Sequence, residues 1–209
     1  MPNWTSNKIA ITGPKEVLDK LTADAVLNEK GEYLLSSWFP VPETYHKYDT
    51  TNHPNGERLV VGQEFHDGLG NKGVATEELI EEYKQATKEQ REKYGAVGWY
   101  DYNCKYFGCK WDMNFETFER ISDTAISIDV ETPWSAPAVF FMRLTERYPE
   151  IELDVYSEYE DGPYEHIVYR NGCMDLLDSG MQDWATEDWQ EGEEEGEGAE
   201  ATGEDDIPW

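Results

Sequence analysis

The sequence predicts an α+β fold with helices on one face of an antiparallel sheet, followed by a disordered acidic C-terminal tail. Three observations predict it. Period-2 and helical-period segments alternate in the order strand, helix, strand, strand, helix, strand, strand. The aromatic content of 13%, with 8 Trp and 13 Tyr, is too high for a wholly disordered acidic chain. After Leu177 the composition changes abruptly. A length of 209 residues fits one domain with an appendage. The expected division is a domain over 1–177, with an insertion at about 43–94, and a tail over 178–209.

The elements follow from local chemistry. Residues 7–13 alternate, with Ile9 and Ile11 on one face, and Gly13 and Pro14 end the strand in a turn. Pro14 suits the first turn of a helix over 16–27, whose apolar stripe includes Val17, Leu18 and Leu21. Residues 34–41 read as an extended aromatic segment, and 43–72 as a long loop rich in Asn, Gly, His and Pro. A charged, solvent-facing helix is predicted over 76–94, with Leu79, Ile80 and Tyr83 as its narrow stripe. A short helix over 99–107 ends at Gly108, where a C-terminal cap belongs. Strands over 114–121 and 125–131 flank a turn at Ser122 and Asp123. A helix over 138–148 stops at Pro149, and strands over 151–159 and 165–169 flank the turn at Asp161, Gly162 and Pro163. Residues 178–209 hold 13 acidic residues and no Lys or Arg, too little apolar surface to offset the entropy of ordering.

Composition also bounds function. The net charge of −28 leaves room for a nucleic-acid site only as a local patch. The longest apolar run, 138–142, is far short of the roughly 20 residues a membrane-spanning helix needs. No secretory signal is legible, so the chain is expected in the cytoplasm, with Cys104, Cys109 and Cys173 as reduced thiols. His46, His53, His66 and His166 are scattered without metal-site spacing, and the glycines from Gly68 to Gly73 lack the strand and helix of a phosphate loop. In so acidic a chain the pair Asp101 and Asp112 carries no catalytic signal. Neither catalysis nor a cofactor is predicted.

One segment stands apart. Residues 99–118 contain eight aromatics, and 84–120 carry seven basic groups against six acidic ones. Single strands are bound by rings that stack bases and cations that follow the backbone. The predicted nucleic-acid site is therefore Trp99, Tyr100, Tyr102, Lys105, Tyr106, Lys110 and Trp111.

Two resemblances extend this reading. Met1, Pro2, Asn3, Trp4 and Asn7, then the run from Gly98 to Tyr102, the run from Gly108 to Asp112, and the run from Thr132 to Pro137 resemble the YubB-type ferredoxin-like family of plasmids and bacteriophages, over about 1–175. The resemblance implies a ferredoxin-like fold, a mobile-element origin in a bacterial host and no particular activity. The last residues, Gly203 to Trp209, resemble the terminus of bacterial single-stranded DNA-binding proteins, where an acidic tail ends in Asp-Asp-Ile-Pro and an aromatic residue. An apolar pocket rimmed by cations could hold Ile207 and Trp209, pair with Asp205 and Asp206, and use Pro208 to limit lost entropy. Together these predict an accessory protein that binds single-stranded DNA and recruits host or phage replication or repair proteins. The rival expectation is an acidic interaction protein without DNA affinity, which mimics nucleic acid or competes for host proteins that read such tails.

Overall fold

The computed structural model describes residues 2–66 and 72–182. Strand β1 (Trp4–Thr12) turns Thr5, Asn7, Ile9 and Ile11 inward and leaves Lys8, Ala10 and Thr12 exposed, the alternation its sequence predicts. Pro14 precedes helix α1 (Lys15–Asp24), and its carbonyl accepts the N–H groups of Val17 and Leu18. Leu18 and Leu21 are the buried side of that helix.

A long insertion follows: α2 (Glu43–Lys47), the hairpin of β2 (Glu64–His66) and β3 (Lys72–Val74), α3 (Glu77–Glu89) and α4 (Gly98–Tyr106). The Thr76 hydroxyl caps α3 by accepting Leu79 N–H at 3.1 Å, with Glu77 and Glu78 in the first turn where the helix dipole favours them. A π-helical turn, Gln90–Tyr94, closes that helix. There the buried Gln90 accepts from Thr50 and from Gly98 N–H and donates to the Thr44 carbonyl, tying three parts of the insertion together. Gly108, at φ +83°, ends the α4 segment as predicted.

The chain then returns to the sheet through β4 (Thr117–Ser122) and β5 (Ala125–Pro133), crosses it in α5 (Ala138–Arg147), and finishes in β6 (Glu152–Tyr159), β7 (Pro163–Arg170) and β8 (Cys173–Met181). The six-stranded sheet has the order β4-β5-β1-β6-β7-β8, and every pair is antiparallel. Within it β1, α1, β4, β5, α5 and β6 form the split β-α-β arrangement of a ferredoxin-like fold, which β7 and β8 extend at one edge. The core lies between the sheet and its helices, where Ile9, Ile11, Ile126, Ile128, Leu153 and Val155 meet Leu18, Leu21, Phe140, Phe141 and Leu144.

Three expectations need correction. Residues 34–41 are not extended throughout: only Leu34 bridges to Asn114, and Leu35–Ser37 forms a 3-10 turn. That turn drives Trp38 inward, where it is 1% exposed, donates Nε1–H to the Leu21 carbonyl at 2.8 Å, and packs against Tyr33, Phe115, Phe118 and Phe140. The loop expected over 43–72 contains α2 and half of the β2–β3 hairpin. The tail expected from 178 starts later, because β8 continues to Met181. Every residue of β8 is exposed, so burial left no trace in its sequence, and the backbone ladder to β7 alone defines it. The remainder of the predicted tail, 183–209, lies outside the described residues.

Trp38 links α1, β4 and α5 through one ring system. Trp38→Ala is expected to cost about 3–5 kcal/mol, read as a lower urea midpoint with a cooperative transition retained.

Candidate functional site

The structure divides the predicted aromatic-basic segment between interior and surface. Tyr102 is 5% exposed, stacks on Tyr106 at 4.5 Å and packs against Tyr45, so neither face of it is offered to a base. Tyr106 is half-buried and donates its hydroxyl to the Tyr94 carbonyl at 2.9 Å. Lys105 donates to the carbonyls of Tyr94 and Gly95 at 2.8 and 3.3 Å. Tyr102 and Tyr106 are structural, because the helical spacing that put them on one stripe turned that stripe inward, while the exposed Lys105 is engaged by backbone carbonyls. Trp99 is half-buried and meets Tyr100 edge-on at 6.1 Å.

Tyr100, Lys110 and Trp111 do come together, with two rings the sequence-based site omitted. Trp111 lies 6.2 Å from Trp4 and 5.7 Å from Trp134. Lys110 Nζ sits 5.1 Å from both the Trp111 and Trp134 rings and 5.9 Å from that of Tyr100. Some 130 residues of sequence separate Trp4 from Trp134, and the register that pairs Trp4 with Pro133 brings them together. Their only sequence signal was membership of the tryptophan-bearing runs that resemble the plasmid and phage family.

The loop carrying Trp134 is held from the core outward. Asn7, fully buried in the central strand, donates to the Val130 carbonyl at 3.0 Å and to the Thr132 hydroxyl at 2.9 Å, and accepts the Ser157 hydroxyl at 2.8 Å. Thr132 passes its own proton to the Ser135 carbonyl at 2.8 Å, and the Ser135 hydroxyl donates to Gly108. Between them Trp134 takes φ +65° with its N–H on the Asn3 carbonyl, and its ring is 49% exposed. A bulky residue at positive φ costs on the order of 1–3 kcal/mol and persists only where its surroundings over-determine it.

The open face of the sheet has the opposite character. The registers place Glu119, Asp129, Glu131, Glu152, Asp154, Glu158, Asp175 and Asp178 on it, against Lys8, Arg170 and His166. Each is matched by a carboxylate already present: the cations Lys8 to Glu158 at 3.2 Å and Arg170 to Glu152 at 2.6 Å, and the His166 ring to Asp154 at 2.6 Å. Five carboxylates remain beyond those three pairs, on a surface that spans the whole sheet.

Asp112 and Cys109 are titratable groups of the interior with shifted pKa values. Asp112, whose carboxylate accepts Ser36 N–H at 2.9 Å, has its pKa raised by burial, while Asp101 is exposed on α4. Burial pushes the Cys109 thiol up to about 12, whereas Cys104 and Cys173 are exposed. Among the described residues no three His, Cys, Asp or Glu side chains are grouped to hold a metal ion, and no helix is long and apolar enough to cross a membrane. Asp205, Asp206, Ile207, Pro208 and Trp209 lie outside the described residues.

No family model and no curated protein matches the chain. Among solved structures it is similar to a crystal structure of the protein api92 from Yersinia pseudotuberculosis, labelled with the family model DUF1281. The two share 11% identity over 87% of this chain and 98% of that one, with a TM-score of 0.46. Function must therefore come from the residues themselves.

Two measurements probe the site's supports. Asn7→Ala removes a satisfied buried group and orphans the Ser157 hydroxyl, and is expected to cost about 1–3 kcal/mol and to weaken the near-UV dichroism of the coupled Trp111 and Trp134 rings. Asp112 has a folded pKa above its ordinary 3.8, so the protein loses stability as pH rises from that value through the folded one. Asp112→Asn keeps an acceptor for Ser36 and avoids the buried charge. It is expected to melt higher than the native protein at pH 7, with the advantage gone below pH 3.8.

Proposed function

We propose that this chain is an acidic interaction protein that offers the open face of its sheet to the nucleic-acid-binding surface of a basic partner. The observation that carries this is the row pattern of that face, eight carboxylates against two cations and one histidine, each already facing a carboxylate. Outward residues repeat every second position, about 6.8 Å along a strand, so the charges form ordered rows on a rigid support. A field of one sign speeds the encounter with an oppositely charged surface and repels nucleic acid itself. The segment from Asp205 to Trp209 belongs to the same proposal, as a second acidic element that competes for host replication or repair proteins.

A second function, binding of single-stranded DNA, is favoured by one observation: Lys110 among the rings of Tyr100, Trp111 and Trp134 offers a cation beside stacking surfaces. It is the weaker of the two because other cations of the predicted segment are engaged elsewhere, Lys105 on the carbonyls of Tyr94 and Gly95, and Arg120 on the carbonyls of Ser122 and Asp123 and on Asp19.

Titration with fluorescent oligo-dT at low and at physiological salt separates them. The expected result is no quenching of tryptophan fluorescence at either salt. Quenching at low salt that is lost on Lys110→Ala would establish DNA binding instead. Proteins that immobilised protein retains from nuclease-treated bacterial lysate are expected to elute with heparin, a polyanion. Retention should fall several-fold when Glu119, Asp129 and Glu131 are replaced by their amides.

A further inference from the structure

At the end of the sheet, on its helix-covered side, lies a pocket of about 380 Å³ whose lining among the described residues holds no Lys or Arg. Trp4, Trp134 and Tyr159 form its aromatic walls, and Asp161 and Glu165 supply carboxylates. Glu165 accepts the Tyr159 hydroxyl at 3.0 Å, and neither acid takes part in an ion pair among the described residues. Thr5, 1% exposed, also lines the pocket, and its hydroxyl has no hydrogen-bond partner among the described residues. A buried hydroxyl without a partner is uncommon and asks for one.

We propose that this pocket receives an arginine side chain of the basic partner. A guanidinium is planar, stacks on indole faces, and carries five N–H donors in a fork that suits carboxylates. Asp161 and Glu165 offer acceptors for that fork, and the Thr5 hydroxyl one more. The Trp134 ring already attracts a cation, with Lys110 Nζ at 5.1 Å, and its backbone, at φ +65°, is held by its N–H on the Asn3 carbonyl. Charge selects the occupant. Residues 183–209 are acidic and hold no Lys or Arg, so the chain's own continuation would set carboxylates against Asp161 and Glu165. Two copies, each at −28, repel one another. An arginine of a basic protein meets neither obstacle.

The proposal rests on the basic-partner function above, yet the two fail separately, because the sheet-face amides leave this pocket intact. The test follows the tryptophan indole N–H resonances of the full chain during titration with N-acetyl-arginine amide, with N-acetyl-lysine amide and N-acetyl-norleucine amide as comparisons. The arginine derivative is expected to shift the Trp4 and Trp134 signals saturably, the lysine derivative more weakly, and the norleucine derivative not at all. Glu165→Gln should weaken arginine binding about tenfold, the loss of one charge-assisted hydrogen bond. Thr5→Val should weaken it a few-fold while leaving the melting temperature equal to or above that of the native protein, since the hydroxyl it removes has no partner among the described residues. A purely structural Thr5 would leave arginine binding unmoved. Equal shifts with all three derivatives, or none with arginine up to its solubility, would overturn the proposal.

Discussion

Everything distinctive about this molecule depends on one buried side chain, Asn7, in the middle of the central strand. Its amide joins β1 to β5 through Val130 and Thr132, and its carbonyl oxygen joins β1 to β6 through Ser157. A one-residue slip in either pairing would strand that amide in an apolar layer, so the network specifies register more strongly than the flanking isoleucines, which any in-phase shift of two would satisfy. Register then decides the surface. Because Thr132 hands its proton to Ser135, the same network fixes the loop that lifts Trp134 beside Trp4 and Trp111.

Three of the chain's cations help to hold the fold. Arg143 lies over the rings of Phe39 and Tyr106 and donates to the Tyr106 carbonyl, Arg147 donates to the Trp38 carbonyl and pairs with Asp24, and Lys105 binds two carbonyls at the end of the α3 segment. Each satisfies backbone groups or aromatic faces that packing would otherwise leave unpaired. Carboxylates are correspondingly free to populate the open face, where water solvates them at little cost. The contrast between those cation-stitched edges and an anionic outer sheet is what the proposal of a basic partner rests on.

The outline of the fold was legible because it rests on local periodicity. β1, α1, α5 and the β4–β5 and β6–β7 hairpins announce themselves by alternation, helical stripe and turn residues, and each forms within a few residues of where the pattern puts it. Their order carries the α+β class, and the ferredoxin-like topology is what the resemblance to the plasmid and phage family implies. β8 was illegible because an edge strand that buries nothing has no hydrophobic signature, and the 3-10 turn before Trp38 because a run of aromatic residues reads alike whether extended or folded inward. Tyr102 and Tyr106 were assigned to a binding face for a related reason: a stripe has two possible directions, and sequence does not state which neighbour lies across it.

What the sequence determined by itself is the acidity, the aromatic richness, the α+β order of elements and the identity of the tryptophans, all properties of composition or of residues close in the chain. What only the tertiary structure decided is which of those residues meet. Trp4, Trp111 and Trp134 assemble around Lys110, and eight carboxylates share one face, through antiparallel registers between distant strands. The physical reason is that register is set by long-range burial and by hydrogen bonds such as those of Asn7, whose partners lie more than 120 residues away.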